Sequence, residues 1–361
     1  MSANGRTTAA GITAVVVNYD GAHYLAACLD GLFAGDVVPD EVFVVDNGST
    51  DGSQDLVRER YPDVVLLELP GNPGPAAARN LGMRVARFAR VLTLDNDVVL
   101  EPQALARMVA ALDADAGLVA VQARSVVASD PGTVHYDGGW AHYAGLLVLR
   151  NFFVPAAEAE GSGTSEVGAF VSLCVLQENA RVLAAGGYDE DLEILFEDAD
   201  LSYRLRALGE RLAVVDDALC LHGPGTAGTS FRREIYPARR VFLHSRNRWL
   251  LLLKNHRAWT LVLSAPALVL YEIYWLAFAT LRGGLLAYLR GKWALVRLLP
   301  GVLARRHRIQ SSRRVGDREI LRGGPLTLSP QLREKKFARA SSATLDACLR
   351  GWWALVRPLV R

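Results

Sequence analysis

Sulfur is scarce in this chain, with four cysteines and three methionines among 361 residues. Cys28, Cys174, Cys220 and Cys348 lie far apart and form no Cys-x-x-Cys pair. That spacing excludes a zinc knuckle or a disulfide framework and predicts a reduced, cytosolic setting. A leader pattern is missing as well. The apolar run in MSANGRTTAAGITAVVVNYDG is too short for a signal peptide and reads as a first strand, so the N-terminal part is expected to stay in the cytosol. The last third is short of acid: residues 239–361 hold 24 Lys/Arg against 5 Asp/Glu, whereas residues 1–238 hold 16 against 33. The formal net charge of +2 therefore hides an acidic body and a basic tail. In the tail the cations are interleaved with Leu, Val and Trp runs, not with aromatic stacking patterns. This argues against a nucleic-acid partner and for an anionic membrane surface.

The length exceeds one average domain, and the composition shifts near Tyr236. The expected division is a catalytic α/β domain over 1–238 and a basic, apolar, helical, membrane-associated region over 239–361. In the first hundred residues, β-branched runs at 12–17, 42–45, 64–67 and 91–94 alternate with amphipathic stretches at 24–33, 53–60 and 76–89. Asp51 and Ser53 offer caps for the second of these stretches. Such alternation predicts βαβ units, hence an α/β fold with a Rossmann-like open, mostly parallel sheet. Farther on, 154–164 reads as a small-residue loop, 167–176 as one buried strand, and 197–208 as a helix with an acidic first turn.

Ligands of open α/β sheets bind beyond the carboxyl ends of the strands. Three polar clusters stand at those ends: Asn18-Tyr19-Asp20, Asp46-Asn47-Gly48-Ser49-Thr50-Asp51 and Asp95-Asn96-Asp97. Asp95 and Asp97 are hard oxygen ligands that suit Mg²⁺ or Mn²⁺ bridging a nucleotide diphosphate, although an isolated Asp-x-Asp is as readily a polar turn. Asn18 and Asp46 are candidates for binding the donor nucleotide; Asp46 can accept from a base imide, or else start an Asx turn. Asn72, in the turn Gly71-Asn72-Pro73-Gly74, and Arg79 in the following helix add a helix start and a cation for phosphate. That turn is neither G-x-G-x-x-G nor a P-loop. Glu197, Asp198 and Asp200 crowd three carboxylates into one helical turn. Repulsion there raises at least one proton affinity, as a general base needs, with helix capping as the plainer alternative. Asp200 is expected to cap, and Asp198 to act as the base with Glu197 beside it. Trp140, His142 and Tyr143 could line a sugar pocket through their ring faces; core packing accounts for Trp140 almost equally.

Taken together, VVVNYD, VVDNGSTDGS, NPGPAAARNLG, LTLDND, GGYDEDLEILFEDADLSYRLRALG and RNRWLLLLKN resemble the family-2 glycosyltransferases of the GT-A fold, in particular the bacterial rhamnosyltransferase-like branch. The resemblance extends over residues 12–255. It implies an inverting, metal-dependent transferase with Asp46 near the base and Asp95 and Asp97 at the ribose, metal and diphosphate. It also implies a catalytic carboxylate in the Glu197-Asp198 pair. His222, ahead of Gly223-Pro224-Gly225, stands where related enzymes place a histidine that completes the metal shell. The paired acid and nucleophile of glycosidases do not carry over, because a metal-neutralised diphosphate leaves by itself and only one base is needed.

Residues 258–280 form an apolar run long enough to span a membrane, interrupted by Pro266 and Glu272. Residues 283–303 carry Arg290, Lys292 and Arg297 within an apolar stretch, as an interfacial helix with snorkelling cations does, and 345–360 repeats the theme with Trp352 and Trp353. A buried helical subdomain is the alternative. The resulting expectation is transfer of rhamnose or another hexose from a UDP- or dTDP-sugar to a glycan or polyprenyl-linked acceptor. Mn²⁺ or Mg²⁺ would serve as cofactor, at the cytoplasmic face of the membrane. A sugar-1-phosphate nucleotidyltransferase would show a Gly-rich, cationic loop where this chain has Asn18-Tyr19-Asp20-Gly21. A non-catalytic nucleotide-binding scaffold would not need Asp97, Asp198 and His222.

Overall fold

The computed structural model describes residues 9–223, 236–327 and 336–361; Pro224 and Gly225, part of the turn expected after His222, lie outside the described residues. By their contacts the residues fall into two compact units. One comprises Met1–Gly138, Arg150–Leu201 and Glu210–Gly225, and the other Gly139–Leu149, Ser202–Gly209 and Thr226–Arg361.

The first unit begins with β1 (Ala9–Asn18), α1 (Ala22–Phe33), β2 (Glu41–Asp46), α2 (Ser53–Arg60), β3 (Val65–Glu68), α3 (Pro75–Val85) and β4 (Phe88–Asp95). Val15, Val16, Val44, Val45, Leu92 and Leu94 have no exposure, as expected of parallel strands covered on both faces. Register then decides where the polar ends fall. β1 runs parallel to both neighbours, with Asn18 opposite Asp46 and Val17 opposite Asp95, so the three acidic or amide-bearing ends finish level. Helix α3 lies close on β1: a Cβ on Gly82 would meet Val15 Cγ1 at 2.3 Å, so only glycine permits that approach.

Next come β5 (Val98–Leu100), α4 (Ala104–Ala114), β6 (Leu118–Val127) and β7 (Asp130–Tyr136); β8 (Gly139–His142) and β9 (Leu146–Leu149) form a separate hairpin in the second unit. β10 (Val154–Pro155), β11 (Thr164–Val167), β12 (Cys174–Glu178), α5 (Asn179–Ala184), α6 (Glu197–Ala207) and β13 (Arg211–His222) follow. The sheet is eleven-stranded and mixed, in the order β10-β7-β6-β12-β4-β1-β2-β3, with β13 paired to β5, β6 and β11. Antiparallel pairing of β13 with β5 sets His222 opposite Val98, one residue from Asp97.

Three boundaries differ from the sequence pattern. The strand expected over 167–176 is two strands, because the ladder stops where the Val171 amide donates to the Gln122 side chain at 2.7 Å. Helix α3 ends at Val85, since Phe88 is already paired with Ala9 in the sheet. The small-residue stretch 154–164 holds β10 and a single 3-10 turn, Ala156–Glu158.

The second unit carries α7 (Ala238–Asn255), α8 (Ala258–Leu281), α9 (Leu285–Ser312), α10 (Asp317–Ile320) and α11 (Lys336–Val356). Its core is aromatic, built on Tyr143, Tyr203, Tyr271, Trp275 and Trp353. Asp317, fully buried within it, accepts from the Tyr203 hydroxyl, the Arg313 guanidinium and, at 2.9 Å, the Arg257 amide. Helix α9 runs nine residues beyond the expected 303, through Pro300.

Candidate active site

The level strand ends build the first part of the site. Asp46 is fully buried and receives the Asn18 side chain at 2.8 Å, the Ser49 amide at 2.9 Å, the Ser49 hydroxyl and the Gln54 side chain at 2.7 Å. Asn18 in turn accepts from Asn96 at 2.7 Å, which ties the Asp-Asn-Asp turn to the first strand. Asp46 thus organises the turn after β2, with its lone pairs already taken by protein donors. Asn72 is exposed, and its side chain accepts from the Gly74 amide at 3.1 Å, an Asx turn leading into α3.

Arg79 is the pivot of the second part. Buried on α3, it donates to Asp95 at 2.6 Å and to Glu197 at 3.4 Å, with its guanidinium 5.4 Å from the Tyr188 ring centroid. Burial opposes its charge, yet the neighbouring Asp95 holds it protonated. Burial first, and the neighbouring Asp198 second, push the Glu197 carboxyl up to about 8, and its Oε2 has no hydrogen-bond partner. Burial likewise raises Asp198, which is only half-buried by surface exposure and accepts from the Ala199 amide at 2.7 Å. The preceding turn is strained. Glu193, Leu195 and Phe196 have φ of 59°, 70° and 75°, a left-handed region that such residues leave unless the surrounding structure holds them. Gly74 allows that turn to approach α3, for a Cβ on it would lie 2.8 Å from the Glu193 carbonyl oxygen.

The third part joins β5 and β13. His222 Nε2 lies 3.6 Å from Asp97 Oδ1, and its Nδ1 lies 2.8 Å from Nδ1 of His135 on β7. Both histidines and Asp97 are buried. His135 is a residue that sequence reasoning missed, because nothing in the spacing ties it to a histidine 87 positions later. Arg79 bridging to a carboxylate 118 positions away escaped for the same reason. Trp140 and His142 belong to the second unit. There His142 has no exposure, accepts from the Ala144 amide at 3.0 Å, and has its pKa pushed down by burial to about 4.

A single divalent ion fits the last pair. With ligand distances of about 2.1 Å, one ion can touch both Asp97 and His222 across their observed separation. Among the described residues no three His, Cys, Asp or Glu side chains converge on one point. This matches the habit of such ions to complete their shells with substrate phosphates and water.

An open α/β sheet whose strand ends gather Asp46, Asp95 and Asp97 opposite a carboxylate-bearing helix is a GT-A fold. Residues 13–157 match the family model described as glycosyl transferase family 2. It is similar to the N-acetylglucosaminyl-diphospho-decaprenol L-rhamnosyltransferase of Mycobacterium tuberculosis, 28% identical over 265 residues that cover 68% of this chain and 85% of the relative. The succinoglycan biosynthesis protein ExoO of Rhizobium meliloti is 36% identical over 120 residues, and there the match spans about a third of each protein (33% and 34%). Among solved structures, a mannosyltransferase from Pyrobaculum calidifontis in complex with GDP-Man and Mn²⁺ shares the fold with a TM-score of 0.50 at 19% identity, covering 97% of this chain and 88% of that one.

Proposed function

We propose that the protein transfers a hexose, rhamnose in the first instance, from a UDP- or dTDP-sugar to a lipid-linked or cell-envelope glycan, with inversion at the anomeric carbon. The observation that carries this reading is the asymmetry between two adjacent carboxyls. Glu197 is buried and held 3.4 Å from Arg79, its carboxyl pushed up by burial and by Asp198, whereas Asp198, also pushed up by burial, keeps an open side. A carboxylate with raised proton affinity and an open side is what a general base requires. Asp198 would take the proton of the acceptor hydroxyl as its oxygen attacks the anomeric carbon. The bond to the diphosphate breaks on the opposite face, and its electron pair leaves with the diphosphate oxygen.

Asp97 and His222 would hold Mn²⁺ or Mg²⁺, while Asp95, expected as a further ligand, is held by Arg79. When bound, the ion supplies charge neutralisation for the departing diphosphate. Asn18, Asp46 and Asn72 border the nucleoside side, and Arg79 keeps Asp95 oriented. The acceptor reading draws support from the polyprenyl-linked substrate in the name of the mycobacterial relative and from the basic, apolar second unit, which suits the cytoplasmic face of a membrane. Incubating the protein with a panel of nucleotide sugars and a polyprenyl-diphosphate-linked acceptor, followed by mass spectrometry and anomeric assignment, tests it. A product of retained configuration, or release of pyrophosphate in place of a nucleoside diphosphate, would overturn it.

A further inference from the structure

Helix α8 passes the length and composition test for a membrane span, but its surroundings oppose that orientation. Ser264, Ala267, Tyr271 and Trp275 make one buried stripe. Trp259, Val262, Val269, Ile273 and Leu276 make an exposed apolar stripe on the other side. The buried stripe is fastened to polar groups of α7. Trp275 donates to the Ser245 hydroxyl at 2.8 Å, and the Tyr271 hydroxyl lies 3.1 Å from His244. Glu272, past the middle of α8, collects four donors: Arg248 at 2.9 Å, Trp249 at 2.6 Å, Tyr288 at 2.7 Å and Lys292 at 2.5 Å. A spanning α8 would carry this ionic cluster, together with the buried Asn247 and Lys254 of α7, toward the hydrocarbon centre, where charged groups are expensive.

The exposed side has a charge pattern as well. On α9, Leu286, Leu289, Trp293 and Val296 are exposed beside the exposed Arg290 and Arg297, and the Arg297 guanidinium sits 5.2 Å from the Trp293 ring centroid. At the start of α8, Arg257, Arg306 and His307 line a cavity of about 480 Å³ bordered by Leu303. Arg306 is held there by its bonds to the Leu253 and His256 carbonyls. Apolar side chains with interspersed cations and a cationic notch of headgroup size complement a surface of anionic phospholipid.

We infer that the exposed faces of α8 and α9 are an in-plane docking surface for an anionic phospholipid bilayer, with α8 lying along the headgroup boundary and not crossing it. This deepens the membrane part of the proposed function and is independent of the donor and of the base. The full chain, with Cys348→Ser to leave three buried cysteines, takes single spin labels at Val262→Cys, Val269→Cys or Leu276→Cys. Each is bound to vesicles of phosphatidylcholine with phosphatidylglycerol. Equal label depths are expected. A span instead steps by about 10 Å between successive labels, seven residues at about 1.5 Å each. Binding is expected to need phosphatidylglycerol and to weaken with salt. Ile273→Asp should lower it about tenfold or more, the scale of withdrawing one large aliphatic side chain from an apolar phase, without changing the thermal melt. Stepped depths, indifference to lipid charge, or unchanged binding of Ile273→Asp would each overturn the inference. So would a dimer in lipid-free solution that Ile273→Asp splits. Transfer to a soluble acceptor separates the two proposals: Ile273→Asp should keep it, and Asp198→Asn should lose it while still docking.

Discussion

Two buried ionic clusters in the first unit differ in their stoichiometry. In one, Arg124 and Arg150 face Asp137 and Asp216, two cations to two carboxylates, with Arg124 2.8 Å from Asp137 and 2.6 Å from Asp216. Asn151, Ser165 and the Glu160 carbonyl add further hydrogen bonds, while Asp137 Oδ1 and Arg150 Nη1 make none. In the other, Arg79 is the one cation among the described residues seen to face Asp95 and Glu197, with Asp198 alongside and Asp97 two residues beyond Asp95. The balanced cluster meets each carboxylate with a cation of its own. The unbalanced one leaves negative charge and proton affinity for something else to meet, which in a transferase is a cation, a diphosphate held by it, and an acceptor proton. A buried charge pair that is fully answered holds loops in place; one that is under-answered is available for chemistry.

That contrast can be broken at either cluster. The largest effect is expected for Asp198→Asn, with kcat reduced by about 10²–10⁴-fold and donor affinity measured by calorimetry unchanged; normal turnover would remove Asp198 from its role. Arg124→Ala should act on stability, costing about 3–5 kcal/mol in urea unfolding because Asp137 and Asp216 are left buried and under-paired. A loss below about 1 kcal/mol, the range of exposed pairs, would mean that the balanced cluster does not hold the fold. His222→Ala should weaken Mn²⁺ binding by about tenfold or more, and His135→Phe by less, since it removes only the partner of the other ring nitrogen. Titration followed by the Mn²⁺ paramagnetic signal reads both.

The smallest effect sharpens the comparison through pH. Glu197 stays protonated in the folded state up to about 8, whereas the unfolded chain ionises it near 4.5. The unfolded state binds fewer protons in that window, so this group lowers stability as pH rises through it. Glu197→Gln should flatten that slope in thermal melts. In the second unit the sign is opposite. His142 and His256, pushed by burial from 6.5 to about 4, stay neutral when folded, so their contribution falls as pH drops from 6.5 toward 4. A wild-type slope between pH 4.5 and 8 that Glu197→Gln leaves intact would assign the unbalanced charge elsewhere.

Much of the first unit was legible in contiguous residues. The runs ending at Asn18, Asp46 and Asp95 became β1, β2 and β4, and the acidic turn at Glu197 became the start of α6. The break within 167–176 was not legible, because it depends on the Gln122 side chain, distant in sequence, taking one amide. Within the site, Asp95 and Asp97 were visible as a pair, yet the fold sends them to different partners, Arg79 and His222. His135 carried no sequence signal. Trp140 and His142 read as aromatic pocket residues; the full burial of His142, beside a part-exposed Trp140, depends on how β8 and β9 pack in the second unit.

The residues by themselves determined the βαβ alternation of the first hundred positions and the acidic strand ends, because period, breaker and end chemistry are local properties of the chain. They also determined that the second half is basic and apolar. Only the tertiary structure decided which carboxylate is answered by a cation and which is left with a raised proton affinity. It likewise decided that the apolar α8 has one face pinned by Glu272 to Arg248 and Lys292. Those outcomes depend on distances of a few ångströms between residues far apart in sequence and on how much water remains around each charge, and neither is written in any single stretch of the chain.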